Sequence, residues 1–376
     1  MRDKATTKNI IATNWRYFDF WLLGGVALLV IFGITMIRSA ISGNIELTQL
    51  NLVGRQLVFA LAGFVVILVL AAIDYRLWSA ISRPLYIVAV VALVVLFFAG
   101  RALYGSARWF DTGVILIQPS EIAKIVMIIA LADFFSRHKD QLGSLVWVGR
   151  SFVLTVFLTI WILLQPNLST SIVMFVLWFS MLWVSGLRIK HLILFIITGI
   201  AAPFAAFPFL VDYQQRRILN FLFPDPNARH GDIYNIQQAL ISIGSGGAFG
   251  QGYGHGSQVQ LRFLKVRWSD YIFSAMAQEF GFVGVLIVLA VLLFVIWRCV
   301  RAARMARDTF GSLIAYGVAV IITFQSMVNI GVNMNMMPAT GLTLPFVSYG
   351  GSSLLSILLG IGLVESVILR HKSLEL

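Results

Sequence analysis

Asp270 closes the run Arg262-Phe-Leu-Lys-Val-Arg-Trp-Ser-Asp270, which leads straight into a long apolar stretch. Three cations, Arg262, Lys265 and Arg267, thus precede a carboxylate at a membrane surface, an arrangement suited to anionic lipid headgroups. A carboxylate within reach of a substrate proton is a general base. The plainer reading is a helix N-cap, since aspartate is a favoured cap residue, and the two readings are compatible. Nine residues on, Glu279 falls near mid-bilayer if its helix is regular, and an acid there needs a partner.

Other segments carry chemistry of the same kind. In Gln118-Pro-Ser-Glu-Ile-Ala-Lys124, Pro119 suits a first helical turn and Ser120 can cap it. Glu121 and Lys124 are three apart, so they share a helix face and can pair. The pair reads equally as a functional site and as a packing salt bridge. In Gly105-Ser-Ala-Arg-Trp-Phe110, Arg108 can bind phosphate bidentately beside an aromatic, or simply anchor the chain at the interface. Gln325, Asn329 and Asn333 are spaced by four on one face, for which interhelical hydrogen bonding is the favoured explanation. Ser348-Tyr-Gly-Gly-Ser-Ser353 opens the last apolar stretch, and the backbone amides of Ser348, Gly350, Gly351 and Ser352 can hold an anion there. Close packing around the glycines is at least as good an account. The glycine-rich run 244–256 lacks a Gly-Lys-Ser/Thr ending and is no nucleotide loop; a flexible turn is expected.

These residues must be positioned by membrane helices. The 376 residues are 59% hydrophobic and 12% charged, about half the charge density of a soluble domain. Apolar stretches near 18–38, 53–73, 84–100, 120–136, 150–165, 168–186, 190–211, 271–297, 310–331 and 350–369 predict an all-α polytopic protein with about ten spans. The first follows a basic, polar segment and reads as an uncleaved helix, being too long for a signal-peptide core. Lysine and arginine cluster in alternate loops, while the short loops on the other side hold only Arg101 and Arg108. That bias places residues 1–17 and 370–376 in the cytoplasm, and the long segment 212–270, between the seventh and eighth spans, outside. Within it, 232–243 is expected as an amphipathic helix capped by Asp232 and ended by Gly244. The net charge of +12 is spread over these clusters, a pattern of membrane orientation and not of nucleic-acid binding. One cysteine, Cys299, excludes an internal disulfide.

Together, Gly105-Ser-Ala-Arg-Trp, Gln118 to Lys124, Gln165-Pro-Asn-Leu-Ser-Thr170, Ile243-Gly-Ser-Gly-Gly247, Asp270-Tyr-Ile-Phe273, Glu279-Phe-Gly and Asn329-Ile-Gly through Leu344 to Ser353 resemble the SEDS (shape, elongation, division and sporulation) family, in family order over nearly the whole chain. Trp15-Arg-Tyr-Phe-Asp19 and Gln258 to Leu264 are more similar to the RodA branch than to FtsW. The resemblance implies a peptidoglycan glycosyltransferase of the bacterial cytoplasmic membrane that polymerises lipid II on the outer face during elongation. It also implies a class B penicillin-binding protein as partner. Asp270 then matches the catalytic aspartate, and Glu121 and Lys124 match the family's pair. Two runs depart from the pattern. Pro-Glu-x-His-Thr-Asp stands here as Lys265-Val-Arg-Trp-Ser-Asp270, and Gln-Pro-Asp-Leu-Gly-Thr as Gln165-Pro-Asn-Leu-Ser-Thr170.

The expected reaction is attack of a sugar hydroxyl on the anomeric carbon of a lipid-pyrophosphate sugar. Asp270 serves as the base, with Arg108, Lys124, Lys265 and Arg267 as candidates to neutralise the leaving group. A divalent cation, Mg or Mn, is an open alternative for that task. A lipid-linked precursor flippase and a non-catalytic scaffold for the crosslinking enzyme are the competing functions.

Overall fold

The computed structural model describes residues 15–42, 50–99, 101–103, 106–111, 116–139, 144–225 and 231–371. Of the expected cytoplasmic ends, 1–17 and 370–376, residues 1–14 and 372–376 lie outside the described residues. In chain order the helices are α1 (Phe20–Ile41), α2 (Leu52–Ala72), α3 (Arg76–Ala80), α4 (Ser82–Ala99), α5 (Pro119–Arg137), α6 (Leu145–Leu164), α7 (Leu168–Val184) and α8 (Ile189–Ala206). They continue with α9 (Asp212–Leu222), α10 (Gly231–Ser245), α11 (Ser257–Gln260), α12 (Ile272–Met305), α13 (Thr309–Asn333) and α14 (Gly351–Leu369). The long helices coincide with the apolar stretches to within a few residues at most ends. Six of the described helices, α1, α2, α6, α12, α13 and α14, are long and apolar enough to cross a membrane. One expectation is corrected: the chain is not wholly helical. Between α4 and α5, β1 (Arg101–Leu103), β2 (Ser106–Asp111) and β3 (Leu116–Ile117) form an antiparallel sheet in the order 1-2-3. Aromatic and polar residues there pair their backbone groups in a connection too polar for a span.

Polar residues at the ends start the helices. Side chains of Asp19, Asn51, Asn167 and Asp308 accept hydrogen bonds from amides in the first turns of α1, α2, α7 and α13. α13 and α14 form the interior, whereas α2 and α6 turn large apolar residues such as Leu61, Val65, Val153 and Phe157 outward. That is the expected surface of a bundle bathed in lipid. α2 and α14 approach closely because Gly63 faces Leu358, where a Cβ would come within 2.2 Å of Leu358 Cδ1.

α12 is discontinuous. Gly281 has φ 66° and ψ −167°, so the ladder breaks there. The break strands carbonyls before it and amides after it, and in lipid each needs a partner. The glycine-rich run supplies them: Gln251 N–H donates to Gln278 O (2.9 Å) and Gly252 N–H to Glu279 O (3.0 Å). In return Phe282 N–H donates to Gly247 O (2.9 Å) and Val283 N–H to Ala248 O (3.0 Å). The expected flexible turn is therefore a docked backbone splint. Glycine is required because the two backbones touch: a Cβ on Gly281 would lie 2.3 Å from Gly250 N. The roughly 24 residues after Gly281 are alone about 36 Å long, enough for a span. The short segment carrying Glu279 thus sits toward one end, not at mid-bilayer. Its partner is Ser39, whose hydroxyl donates to Glu279 Oε1 at 2.5 Å.

Candidate active site

Asp270 stands in the turn that precedes α12, and its own carbonyl and the two before it are each tied down. Tyr349 N–H donates to Trp268 O (2.9 Å) and Ser348 Oγ to Ser269 O (2.8 Å). Asn329 Nδ2 and Asn333 Nδ2 both donate to Asp270 O, at 3.1 and 2.9 Å. Asn333 does more: its Oδ1 accepts from Ser274 N (3.1 Å) and Ser274 Oγ (2.6 Å). It therefore caps the first turn of α12 from another helix, in a position where the N-cap residue, Tyr271, makes no side-chain bond. Asp270 is not the cap, so its carboxylate is left for other work.

That carboxylate accepts from Ser269 Oγ at 2.8 Å and keeps partial contact with solvent. It lies against Gly341, whose absent Cβ would be 3.7 Å from Oδ2. Dense protein around it pushes its pKa above the ordinary aspartate value. The Ser269 bond and Arg217 pull it back, and Asp232 opposes them. Arg217 and Asp232 form an ion pair of 3.2 Å that joins α9 to α10. Asp232 is in the first turn of α10 rather than at its cap.

The other expected residues fall into three settings. Ser348 and Ser352 belong to the turn that opens α14. Ser348 accepts from Leu344 N at 2.8 Å besides holding Ser269, and Ser352 Oγ accepts from Gln118 N at 3.1 Å. Gln56 of α2 clamps this turn by donating to Ser348 O and accepting from Gly350 N, both at 3.2 Å. The Gly350 amide is thus engaged, and Gly351 is the site of close packing on Phe59. Glu121 and Lys124 are buried together against α14, with Lys124 Nζ 2.7 Å from Glu121 Oε2 and Ser356 Oγ 3.3 Å from the same oxygen. Ser120 does not cap α5; Gln118 is the N-cap residue, and Ser120 Oγ is buried without a partner. Arg267 turns away from Asp270. It is 3% exposed, and its Nε donates to Ala40 O at 2.6 Å and its Nη1 to Leu264 O at 3.3 Å. Lys265 is exposed and reaches over the Tyr234 ring at 6.0 Å. Arg108 is on β2, with its side chain outside the described residues.

A family model for FtsW, RodA and SpoVE, described as cell cycle proteins, matches residues 20–373. The chain belongs to the FtsW/RodA/SpoVE family. It is 33% identical over 360 residues to peptidoglycan glycosyltransferase MrdB of Escherichia coli (strain K12), across 96% of this chain and 97% of that one. It is 36% identical over 360 residues to a probable peptidoglycan glycosyltransferase FtsW of Thioalkalivibrio sp. (strain K90mix), across 93% and 89%. The fold is similar to RodA of Thermus thermophilus, with a TM-score of 0.69 and 30% identity over 95% of this chain and 98% of that one. A chain from a peptidoglycan synthase complex, solved for the structural coordination of polymerization and crosslinking, gives a TM-score of 0.80 at 29% identity, over 94% and 98%.

For this member of the FtsW/RodA/SpoVE family, the sequence reading missed Arg217, Gln56 and Ser269. Arg217 is a surface-type residue on an amphipathic helix, and only folding brings it to Asp270. The Gln325-Asn329-Asn333 ladder does make the expected interhelical hydrogen bond, from Asn333 to Ser274 of α12, and its Asn329 and Asn333 amides also hold the Asp270 backbone. Replacing Asn333 by Leu is expected to lower kcat about 10- to 100-fold with KM within about twofold, since small displacements of a reacting group carry such penalties. Steady-state polymerisation kinetics check this; a purely structural residue would lower the amount of folded enzyme and leave kcat per folded molecule intact. Among the described residues no three His, Cys, Asp or Glu side chains converge. A divalent cation here would rely on Asp270 or Asp232 and on substrate oxygens, the usual mode for Mg²⁺.

Proposed function

We propose that this chain is a peptidoglycan glycosyltransferase that polymerises lipid II into glycan strands at the outer face of the cytoplasmic membrane, in the RodA-like role of cell elongation. The observation that carries the reading is Asp270 itself: a partly open carboxylate whose own carbonyl and the two before it are locked by α13 and by the turn opening α14. Such preorganisation is what a positioned base requires. The names of the relatives supply the substrate class, and the synthase complex supports a class B penicillin-binding protein as partner.

In this reading the protein is a multi-pass membrane protein with ten spans, α1, α2, α4 to α8 and α12 to α14, and both termini in the cytoplasm. Ion pairs Arg298–Asp19, Arg76–Asp308 and Arg370–Asp74 gather at the bundle end away from Asp270, the cytoplasmic end by its positive charge. The described residues of the segment 212–270 then form an outer cover over Asp270. An acceptor sugar hydroxyl gives its proton to the Asp270 carboxylate while its oxygen attacks the anomeric carbon with inversion. The bond from that carbon to the pyrophosphate oxygen breaks, and the electron pair leaves with the lipid pyrophosphate. Arg217, whose charge acts on Asp270, is the cation this reading assigns to offset that charge, with Lys265 and Arg108 kept as candidates. Lys124 acts through its pair with Glu121, and Arg267 contributes by fixing the run before Asp270 to the end of α1.

The test is polymerisation of lipid II by the purified chain, alone and with its class B partner, scored as glycan strands and released lipid pyrophosphate. Strands that need this chain support the proposal. Headgroup transport in liposomes without strand formation under both conditions would overturn it in favour of a flippase.

A further inference from the structure

At the bundle end opposite Asp270, the start of α4, the end of α5 and Leu154 of α6 line a half-open cavity of about 310 Å³. We propose that this cavity binds an anionic phospholipid of the adjoining leaflet, with the phosphate on Arg83 and His138 and an acyl chain along Ile87 and Leu154. The charge balance is one-sided. Asp133 is the carboxylate among the lining residues, and it is already engaged by Ser79 Oγ (2.5 Å), Ser82 Oγ (2.8 Å) and Arg137 Nε (2.8 Å). Arg83 is exposed at the rim and has no hydrogen-bond or ion-pair partner among the described residues.

His138 is held ready beside it. Its Nδ1 lies 2.8 Å from Phe134 O, which only accepts, so Nδ1–H donates there; a phosphate oxygen, also an acceptor, is met by Nε2 only in the imidazolium form, where both ring nitrogens donate. The ring is fixed by stacking on Trp147 at 4.1 Å, and Arg150 lies 4.3 Å over the same indole. Cations between helix ends, at headgroup depth, form the kind of basic pocket that recognises phosphate headgroups. The source of the phosphate is decided by the walls. Ile87 is 60% exposed on the lipid-facing surface, and Leu154 continues that apolar wall inward. A free inorganic anion gains nothing from them, whereas a phospholipid covers them with its chain.

Native mass spectrometry of the detergent-purified full chain, with palmitoyl-oleoyl phosphatidylglycerol against the matching phosphatidylcholine, tests this. Wild type is expected to retain phosphatidylglycerol in clear excess. Arg83→Gln should lower that retention about fivefold, and Arg83→Gln with His138→Gln should remove the excess, with lipid-free melting temperatures unchanged for Arg83→Gln. Equal retention by wild type and Arg83→Gln, or no preference over phosphatidylcholine, would overturn the site. Displacement of the lipid by millimolar inorganic phosphate would overturn the lipid assignment in favour of a free anion. None of these readouts depends on glycan synthesis, so the lipid site and the proposed polymerase activity fail separately.

Discussion

Asp270→Asn is expected to reduce lipid II polymerisation by about 10²- to 10⁴-fold, the range for removing a general base, while the protein folds normally. The substitution keeps the shape of the side chain, and every tie on the Asp270 carbonyl is a backbone contact that it does not touch. Stability should even rise slightly at neutral pH. Burial raises the folded-state pKa of Asp270, so the group favours folding only below its unfolded pKa, and that contribution is lost as pH rises through the folded value. Above it, the charged form is a cost that asparagine removes. The same shift sets the acid limb of the wild-type rate. Activity should fall as pH drops through a value above the ordinary aspartate range near 4. Polymerisation measured from pH 4 to 8, with melting temperature recorded in parallel, checks all three expectations. A folded Asp270→Asn protein that makes strands at the wild-type rate would remove Asp270 from the mechanism.

Lys124→Met should destabilise the fold severely. Lys124 is 0% exposed and its ammonium is 2.7 Å from a carboxylate that is itself buried. Removing the lysine leaves Glu121 as an unpaired buried charge, at about 3–5 kcal/mol. Replacing both, as Glu121→Gln with Lys124→Met, removes the stranded charge and should restore most of the stability, because a buried ion pair is often no better than neutral residues of similar size. Activity is expected to stay low in the double variant if the pair serves the substrate. Thermal unfolding in detergent and polymerisation assays on the three proteins separate the roles. A double variant that recovers both stability and rate would make the pair a packing device only.

Much of the architecture was legible locally. A stretch of about 20 apolar residues must become a helix in lipid, since the backbone has no other way to pair its polar groups there. Hence the long helices fall where hydropathy places them. Pro119 at the first turn of α5 and the Glu121–Lys124 pair follow from spacing within one helix. The errors came where a backbone departs from regularity. No local rule announces that Gly281 breaks α12 or that residues 246–252 mend the break, because each half is stable only in the presence of the other.

Sequence alone determined a polytopic membrane chain with a carboxylate, Asp270, at the start of a helix and cations nearby. Only the tertiary structure decided which cations face that carboxylate. Arg267, three residues away, is drawn to Ala40, a contact across 227 positions, while Arg217, some fifty residues upstream, is brought in by the packing of α9 on α10. The Asn329 and Asn333 amides likewise found the Asp270 carbonyl only once α13 lay beside the end of the outer segment. The physical reason is common to all three. Hydropathy and helix spacing act over one or two turns of chain, but a guanidinium or amide points to whichever buried carbonyl or carboxylate the packed bundle leaves unpaired.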